Sequence, residues 1–184
     1  MKFCSYCGSS VSFSIPQGDN RHRYVCDNHE CGAIHYQNPR IITGCLPIYE
    51  EQILLCKRAI EPRYGYWTLP AGFMENGEST EEGAIRESWE EANATLDIEH
   101  LYTLFNLPYI NQVYFFYKAR LTDLKFDISE ESLEVKLFTE DDIPWDQLAF
   151  PVVDKTLKYY CEDNKNNHFP FRTETLYKKV RQEQ

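Results

Sequence analysis

Four of the seven cysteines, Cys4, Cys7, Cys26 and Cys31, fall in the first 31 residues of a 184-residue chain. That stretch is rich in Cys, Gly, Ser and Asn and poor in long aliphatic runs. It cannot bury a core of its own, so something must cross-link it. Met1-Lys2-Phe3-Cys4 leads straight into polar sequence, and no apolar run approaches the length of a bilayer span. These features predict a cytoplasmic, reducing setting without membrane contact, where clustered cysteines hold metal rather than pair as disulfides. Cys4-x-x-Cys7-Gly8 and Cys26-x4-Cys31-Gly32 read as two knuckles around a tetrahedral Zn²⁺. His29 competes with Cys31 for the fourth place, and the repeated Cys-Gly pairing favours Cys31. Cys45, Cys56 and Cys161 are expected as small buried hydrophobes.

Charge limits the partners. The net charge is −10, which excludes a general basic surface for nucleic acid. The first 40 residues carry four basic groups (Lys2, Arg21, Arg23 and Arg40) against three acidic ones (Asp19, Asp27 and Glu30). Four thiolates on one Zn²⁺ would bring two further negative charges. No basic stripe remains, which leaves the module a structural or homodimer-forming role. An acidic protein can still handle a phosphorylated substrate if a bound cation offsets its carboxylates.

The character changes at Asn38-Pro39, which predicts a module over 1–38, a core domain over 39–161 and a polar extension over 162–184. With 42% hydrophobic residues the chain can build a core. Residues 41–46 and 53–56 read as buried strands joined by a hairpin at Glu50-Glu51-Gln52. A turn-rich loop covers 63–72. A helix should start at Ser79 or Thr80 and run to about Ala92, with Glu81 and Glu82 in its first turn, where the dipole favours them. Residues 101–107, 113–121 and 135–138 read as strands and 151–161 as a helix. Leu176 and Val180 suggest a final short helix.

The informative segment runs from Gly72 to Ala94. On a helix, Glu87 stands beside both Glu90 and Glu91. Three like charges on one face destabilise an isolated helix unless a divalent cation sits among them, and oxygen-only ligands suit Mg²⁺ or Mn²⁺. Ala84, Ile85, Ser88 and Ala92 offer a side for packing on a sheet. Arg86, eight residues after Glu78 and four before Glu90, can tie the preceding loop to the helix. Gly72 ends a strand where the backbone must come close to the metal and a side chain would obstruct.

This segment resembles the Nudix box: Gly72, Glu78, Arg86-Glu87 and Glu90-Glu91 stand at the family's spacings. Ser88 replaces the usual aliphatic, and Asn93 replaces the usual Gly at the left-handed end of the helix, the conformation that Asn tolerates next best. The resemblance implies an α+β protein, a zinc ribbon followed by an α/β/α sandwich around a mixed sheet. It also implies that Glu87 and Glu91 are the main metal ligands, that Glu90 is a third ligand or a water-orienting base, and that the carbonyl of Ala71 or Gly72 completes the sphere. The implied reaction is attack of metal-activated water on one phosphorus of a substituted nucleoside diphosphate. Many family members add an acidic residue from a distant loop, for which Glu130, Glu131 and Glu134 are candidates here.

Zinc-ribbon members divide further. NADH pyrophosphatases carry a Ser-Gln-Pro-Trp-Pro-Phe-Pro type motif after the box, absent here. Tyr36-Gln-Asn-Pro39, Leu54-Leu-Cys-Lys-Arg58, Tyr66-Trp-Thr-Leu-Pro-Ala-Gly-Phe73 and Glu131-Ser-Leu-Glu-Val135 are instead similar to the short FAD diphosphatase and ADP-ribose pyrophosphatase-like group. The expected substrates are FAD and ADP-ribose, cleaved to AMP plus FMN or ribose phosphate. Hydrolysis of NAD(H), on free dinucleotide or on NAD-capped RNA, is the alternative. A silent ADP-ribose sensor is disfavoured because every box glutamate is present. Tyr64, Tyr66, Trp67, Tyr114 and Phe116 are candidates to stack a ring, and Arg58 and Arg63 to meet a phosphate.

Overall fold

The computed structural model describes residues 1–178. It divides into two compact units, Met1–Pro39 and Arg40–Gln184.

In the first unit, β1 (Val11–Ser14), β2 (Arg23–Cys26) and β3 (Ile34–His35) form an antiparallel sheet in that order. The two Cys-Gly turns bring the thiols together. Gly8 and Gly32 adopt positive φ (74° and 57°), and each donates its N–H back into its own turn, to Cys4 O and Asn28 O. The Sγ atoms of Cys4, Cys7, Cys26 and Cys31 lie within 4.8 Å of one another. The Cys4–Cys31 and Cys7–Cys26 separations are 3.9 and 3.5 Å. Four thiolates at ~2.3 Å from a tetrahedral zinc stand about 3.8 Å apart, so the group has the size of a zinc cage. His29 is exposed and lies outside it. His35, buried, places Nε2 at 3.3 Å from Cys4 Sγ.

In the second unit, β4 (Arg40–Tyr49) and β5 (Gln52–Arg58) meet at a tight hairpin, with Tyr49 opposite Gln52 and Glu50 at φ 54°. The two strands then part. β6 (Trp67–Thr68) pairs with β5, and β7 (Ala71–Phe73) pairs with β4. After α1 (Thr80–Ala92) come β8 (Leu96–Leu107), β9 (Gln112–Leu121), β10 (Ser132–Phe138), α2 (Pro151–Asn164) and β11 (Arg172–Thr175). The sheet order is β10-β5-β4-β9-β8-β11; β4 with β9 and β8 with β11 run parallel, so the sheet is mixed.

Both faces of this sheet are covered, which is why its central strands read as unbroken apolar runs. Alternate residues serve opposite cores. Leu46, Ile53, Leu55, Tyr102, Phe105 and Phe116 pack with Val152, Val153 and Leu157 of α2. Cys45, Leu54, Cys56, Ala119 and Leu121 pack with Ala84 and Ala92 of α1. Ile85 does not join the packed side: it is 39% exposed, one helical step of about 100° away from the buried stripe of Ala84, Ser88 and Ala92. The layers are therefore helix, sheet, helix.

The C-terminal segment corrects an expectation. Residues 172–175, just before Leu176, form a strand, and Leu176 lies in no helix; Val180 lies outside the described residues. Arg172 pairs with the buried Asp163 of α2, which also accepts from the Tyr102 hydroxyl at 2.6 Å. That anchor lays residues 172–175 along the free edge of β8. No helix among the described residues is long and apolar enough to cross a membrane.

Purified protein is expected to carry a single tightly held zinc, and Cys7→Ser to lose it together with the structure of residues 1–39. Metal analysis paired with the dispersion of the ribbon's NMR signals checks this; well-folded wild-type protein without zinc would remove the cage from the account.

Candidate active site

The helix that carries the glutamates is fixed at both ends by its own sequence. Ser79 Oγ accepts from Glu82 N–H (3.1 Å), and the Glu82 carboxylate accepts from Ser79 N–H (2.7 Å), a reciprocal cap. Asn93 ends the helix in the left-handed region, φ 49° and ψ 27°.

Arg86 holds the loop before the helix against it. Its Nε and one terminal nitrogen donate to the two oxygens of Glu78 (3.0 and 2.8 Å), and that nitrogen also reaches the Phe73 carbonyl (3.2 Å). Its other terminal nitrogen donates to Glu87 (2.7 Å) and Glu90 (2.8 Å). The guanidinium thus joins β7, the loop and the helix face. Its fork, together with the Glu75 N–H, holds the Glu78 carboxyl down at about 2. Gly83 belongs to the same contact: a Cβ there would press on Glu78 Oε1 and Thr43 Cγ2. A helix-interior glycine costs about 1 kcal/mol against alanine, and here it lets the Glu78 loop lie on the helix.

The three glutamates are unequal. Glu90 is on the outer edge, with its side chain about half exposed (55%). Glu87 is largely shielded, and burial raises its pKa against the pull of Arg86. Glu91 is 6% exposed and accepts the Ala71 N–H (3.2 Å). Burial, followed by the charge of Glu87, pushes its carboxyl up to about 8. The backbone of β7 lies directly on this pair: a Cβ on Gly72 would collide with both oxygens of Glu87. Two shielded carboxylates facing a strand backbone form an oxygen-only donor set suited to a hard divalent cation. Glu131, exposed in the turn just before β10, adds negative potential at both Glu87 and Glu91. Glu134 instead pairs with Lys57 at 3.7 Å.

Ala71 and Gly72 also form part of the wall of a pocket of about 300 Å³. Its aromatic walls are Phe73, Tyr109, Tyr114, Phe116 and Phe150, and Arg58 is its guanidinium. Of the sequence candidates, Arg58, Tyr114 and Phe116 line it. Tyr64 and Tyr66 do not, and Arg63 lies over the Tyr66 ring. Trp67 is corrected to a core residue: pairing of β6 with β5 turns it inward, 6% exposed and edge-on to Phe138 at 4.8 Å. Sequence reading missed Phe73, Tyr109 and Phe150, which no periodicity marks. They converge only because the turn after β8 and the start of α2 meet beside β7.

Two consequences are measurable. Without metal, Glu91 holds its proton in the fold to about pH 8 but releases it in the unfolded chain near 4.5. The unfolded state then binds fewer protons, so this residue's effect is falling stability as pH rises across that window. In chelator, Glu91→Gln is expected to melt above wild type at about pH 8, with the gap closing toward about pH 5. Arg86→Ala strands its carboxylates and is expected to cost about 2 kcal/mol of stability. Thermal melts across pH test both; an Arg86→Ala protein as stable as wild type, or a pH-independent Glu91→Gln difference, would contradict this electrostatic picture.

Comparison with known proteins identifies the family. Residues 38–159 match the NUDIX domain, and residues 2–37 match the Nudix N-terminal module. A crystal structure of a NUDIX hydrolase from Nitrosomonas europaea is 50% identical, with TM-score 0.93, over 97% of this chain and 100% of that one. The NAD-capped RNA hydrolase NudC of Vibrio vulnificus is 28% identical over 149 residues, 78% of this chain and 53% of NudC. The ADP-ribose pyrophosphatase of Methanocaldococcus jannaschii is 33% identical over 73 residues, 40% of this chain and 43% of that protein. The chain thus spans about half or less of the length of these curated relatives. With a matching domain over most of its length and a glutamate helix that packs as described, the chain belongs to the Nudix family, in its zinc-ribbon-bearing form.

Proposed function

We propose that the protein hydrolyses the pyrophosphate bond of nucleoside-diphosphate-linked small molecules with a divalent cation, Mg²⁺ or Mn²⁺, held by Glu87 and Glu91. The observation that carries this reading is the pair of shielded carboxylates packed on the Gly72 backbone where that backbone opens into an aromatic pocket. The donor set fits such a cation: two carboxylates, with Glu90 at the edge and a β7 carbonyl from Ala71 or Gly72 as further oxygen ligands. When bound, the cation would offset the diphosphate charge and lower the pKa of a water.

The chain's own groups divide the remaining work. Arg86 fixes Glu87 and Glu90 and, through Glu78, the loop between β7 and α1. Glu90 and Glu131 are the exposed carboxylates able to take a proton from an attacking water. Phe73, Tyr114 and Phe150 offer faces for a nucleobase or a second ring. The residues of the ribbon contribute a structural zinc site, Cys4, Cys7, Cys26 and Cys31.

For substrate, ADP-ribose and FAD are placed ahead of NADH because the NADH pyrophosphatase motif is absent. A relative acting on ADP-ribose supports the first of these, and none of the relatives named above supports FAD. The second reading, NAD(H) or NAD-capped RNA, is favoured by the names of the NudC relatives.

A substrate panel with Mg²⁺ and Mn²⁺, read by product mass, is expected to give higher kcat/KM for ADP-ribose or FAD than for NADH. A clear preference for NADH over both would reverse that order. Glu87→Gln and Glu91→Gln are each expected to cut kcat about a hundredfold or more and to raise the Mg²⁺ needed for half-maximal rate. Near wild-type rates at limiting Mg²⁺ in both variants would sink the metal assignment.

A further inference from the structure

The start of β9 brings a polar pair to the pocket. Gln112, Tyr114 and Phe116 stand two residues apart along the strand, so their side chains share one face of the sheet, and all three line the cavity. The Tyr114 ring stacks on Phe116, with centres 6.2 Å apart and planes 21° from parallel. Its hydroxyl donates to Gln112 Oε1 at 3.0 Å. Burial raises the Tyr114 phenol above its ordinary value, so it keeps the proton that it donates.

That bond sets the carboxamide. A free glutamine amide presents either its oxygen or its nitrogen to a partner. Here the oxygen is committed to Tyr114, and the Nε2 amino group has no acceptor among the described residues. The rest of the wall does not reverse this polarity: no carboxylate lines the pocket, and Arg58 can only donate. A partly buried donor without a partner is costly, and a ligand that carries an acceptor supplies the partner.

We propose that Gln112, its carboxamide turned by Tyr114, determines which ring the pocket takes: one whose edge carries a carbonyl oxygen, in preference to one that carries an amino group there. That this ring belongs to a nucleotide rests on the hydrolase reading. A carbonyl oxygen accepts from Nε2. An amino group in the same place sets two donors against each other and leaves both unpaired. A 6-oxopurine or a pyrimidinedione has the favoured edge, and adenine does not. Gln112 is then a specificity residue that touches the ring and not the reacting phosphorus.

The test is equilibrium binding of IMP and AMP to metal-free protein. The two nucleotides share sugar and phosphate and differ at the N1–C6 edge of the base. Wild type is expected to bind IMP about tenfold more tightly than AMP, the scale of one hydrogen bond made against one donor left unpaired. Gln112→Glu, of the same shape but accepting only, is expected to reverse that order. Tyr114→Phe keeps the ring, frees the carboxamide to turn, and is expected to bring the two affinities together without loss of binding. A Gln112 that only supports the strand would weaken both nucleotides alike. On the wild-type protein alone, IMP should shift the Gln112 side-chain amide signals more than AMP does, a readout independent of how the variants fold. Binding of neither nucleotide, equal or tighter binding of AMP, or a preference for IMP that survives both substitutions would overturn the assignment. No arm measures hydrolysis: discrimination by a protein that cleaves no diphosphate would end the hydrolase reading and leave the role of Gln112 standing.

Discussion

The Arg86 guanidinium is the contact on which the rest of the site depends. It bonds Glu78 in the loop, Glu87 and Glu90 on the helix, and the Phe73 carbonyl on β7. Without it, three pieces of chain that converge on one another would share an excess of negative charge. With it, the β7 backbone can lie on the helix so closely that Gly72 has no room for a side chain. Arg86 still does not neutralise the cluster. Glu91 stays buried beside Glu87 with a backbone N–H as its hydrogen-bond partner, and its carboxyl resists ionisation to about 8. The fold thus carries an electrostatic cost at this pair, and strongly shifted groups of this kind cluster at functional sites.

The sheet explains why a pocket opens beside that cluster. β4 and β5 separate after their hairpin, and β6 and β7 pair with one each. β7 carries its backbone from the helix α1 side to the pocket, while α2, packed on the opposite face, begins at the pocket wall. The glutamate pair and the aromatic pocket are therefore linked through one short strand, residues 71–73. The ribbon unit reaches stability by other means: its three short strands bury little, and four thiolates of tetrahedral size take the place of a core.

What was legible in the sequence was local. The helix over 80–92 followed from Ser79, the acidic first turn and Asn93, because caps are set by neighbours within a few residues. The Arg86–Glu78 pair followed from spacing across a loop. The paired Cys-Gly turns predicted the thiol group for the same reason. Non-local features stayed hidden. Trp67 looked free to stack because its loop is turn-rich, but pairing with β5 drives it into the core. Residues 172–175 looked like polar tail because their strand is stabilised by distant partners, Asp163 and the edge of β8. Ile85 reads from its apolar character as part of the packed side of α1, but its helical angle places it outside the buried stripe.

The central claim is that Glu87 and Glu91 hold the divalent cation. The most direct measurement is Mn²⁺ binding followed by the loss of the free-ion electron paramagnetic resonance signal, on protein with its ribbon zinc intact. The account predicts saturable binding to wild type, retained in Glu134→Gln, whose carboxylate pairs with Lys57, and lost or greatly weakened in Glu87→Gln and Glu91→Gln. Equal Mn²⁺ affinity in all four proteins would contradict it.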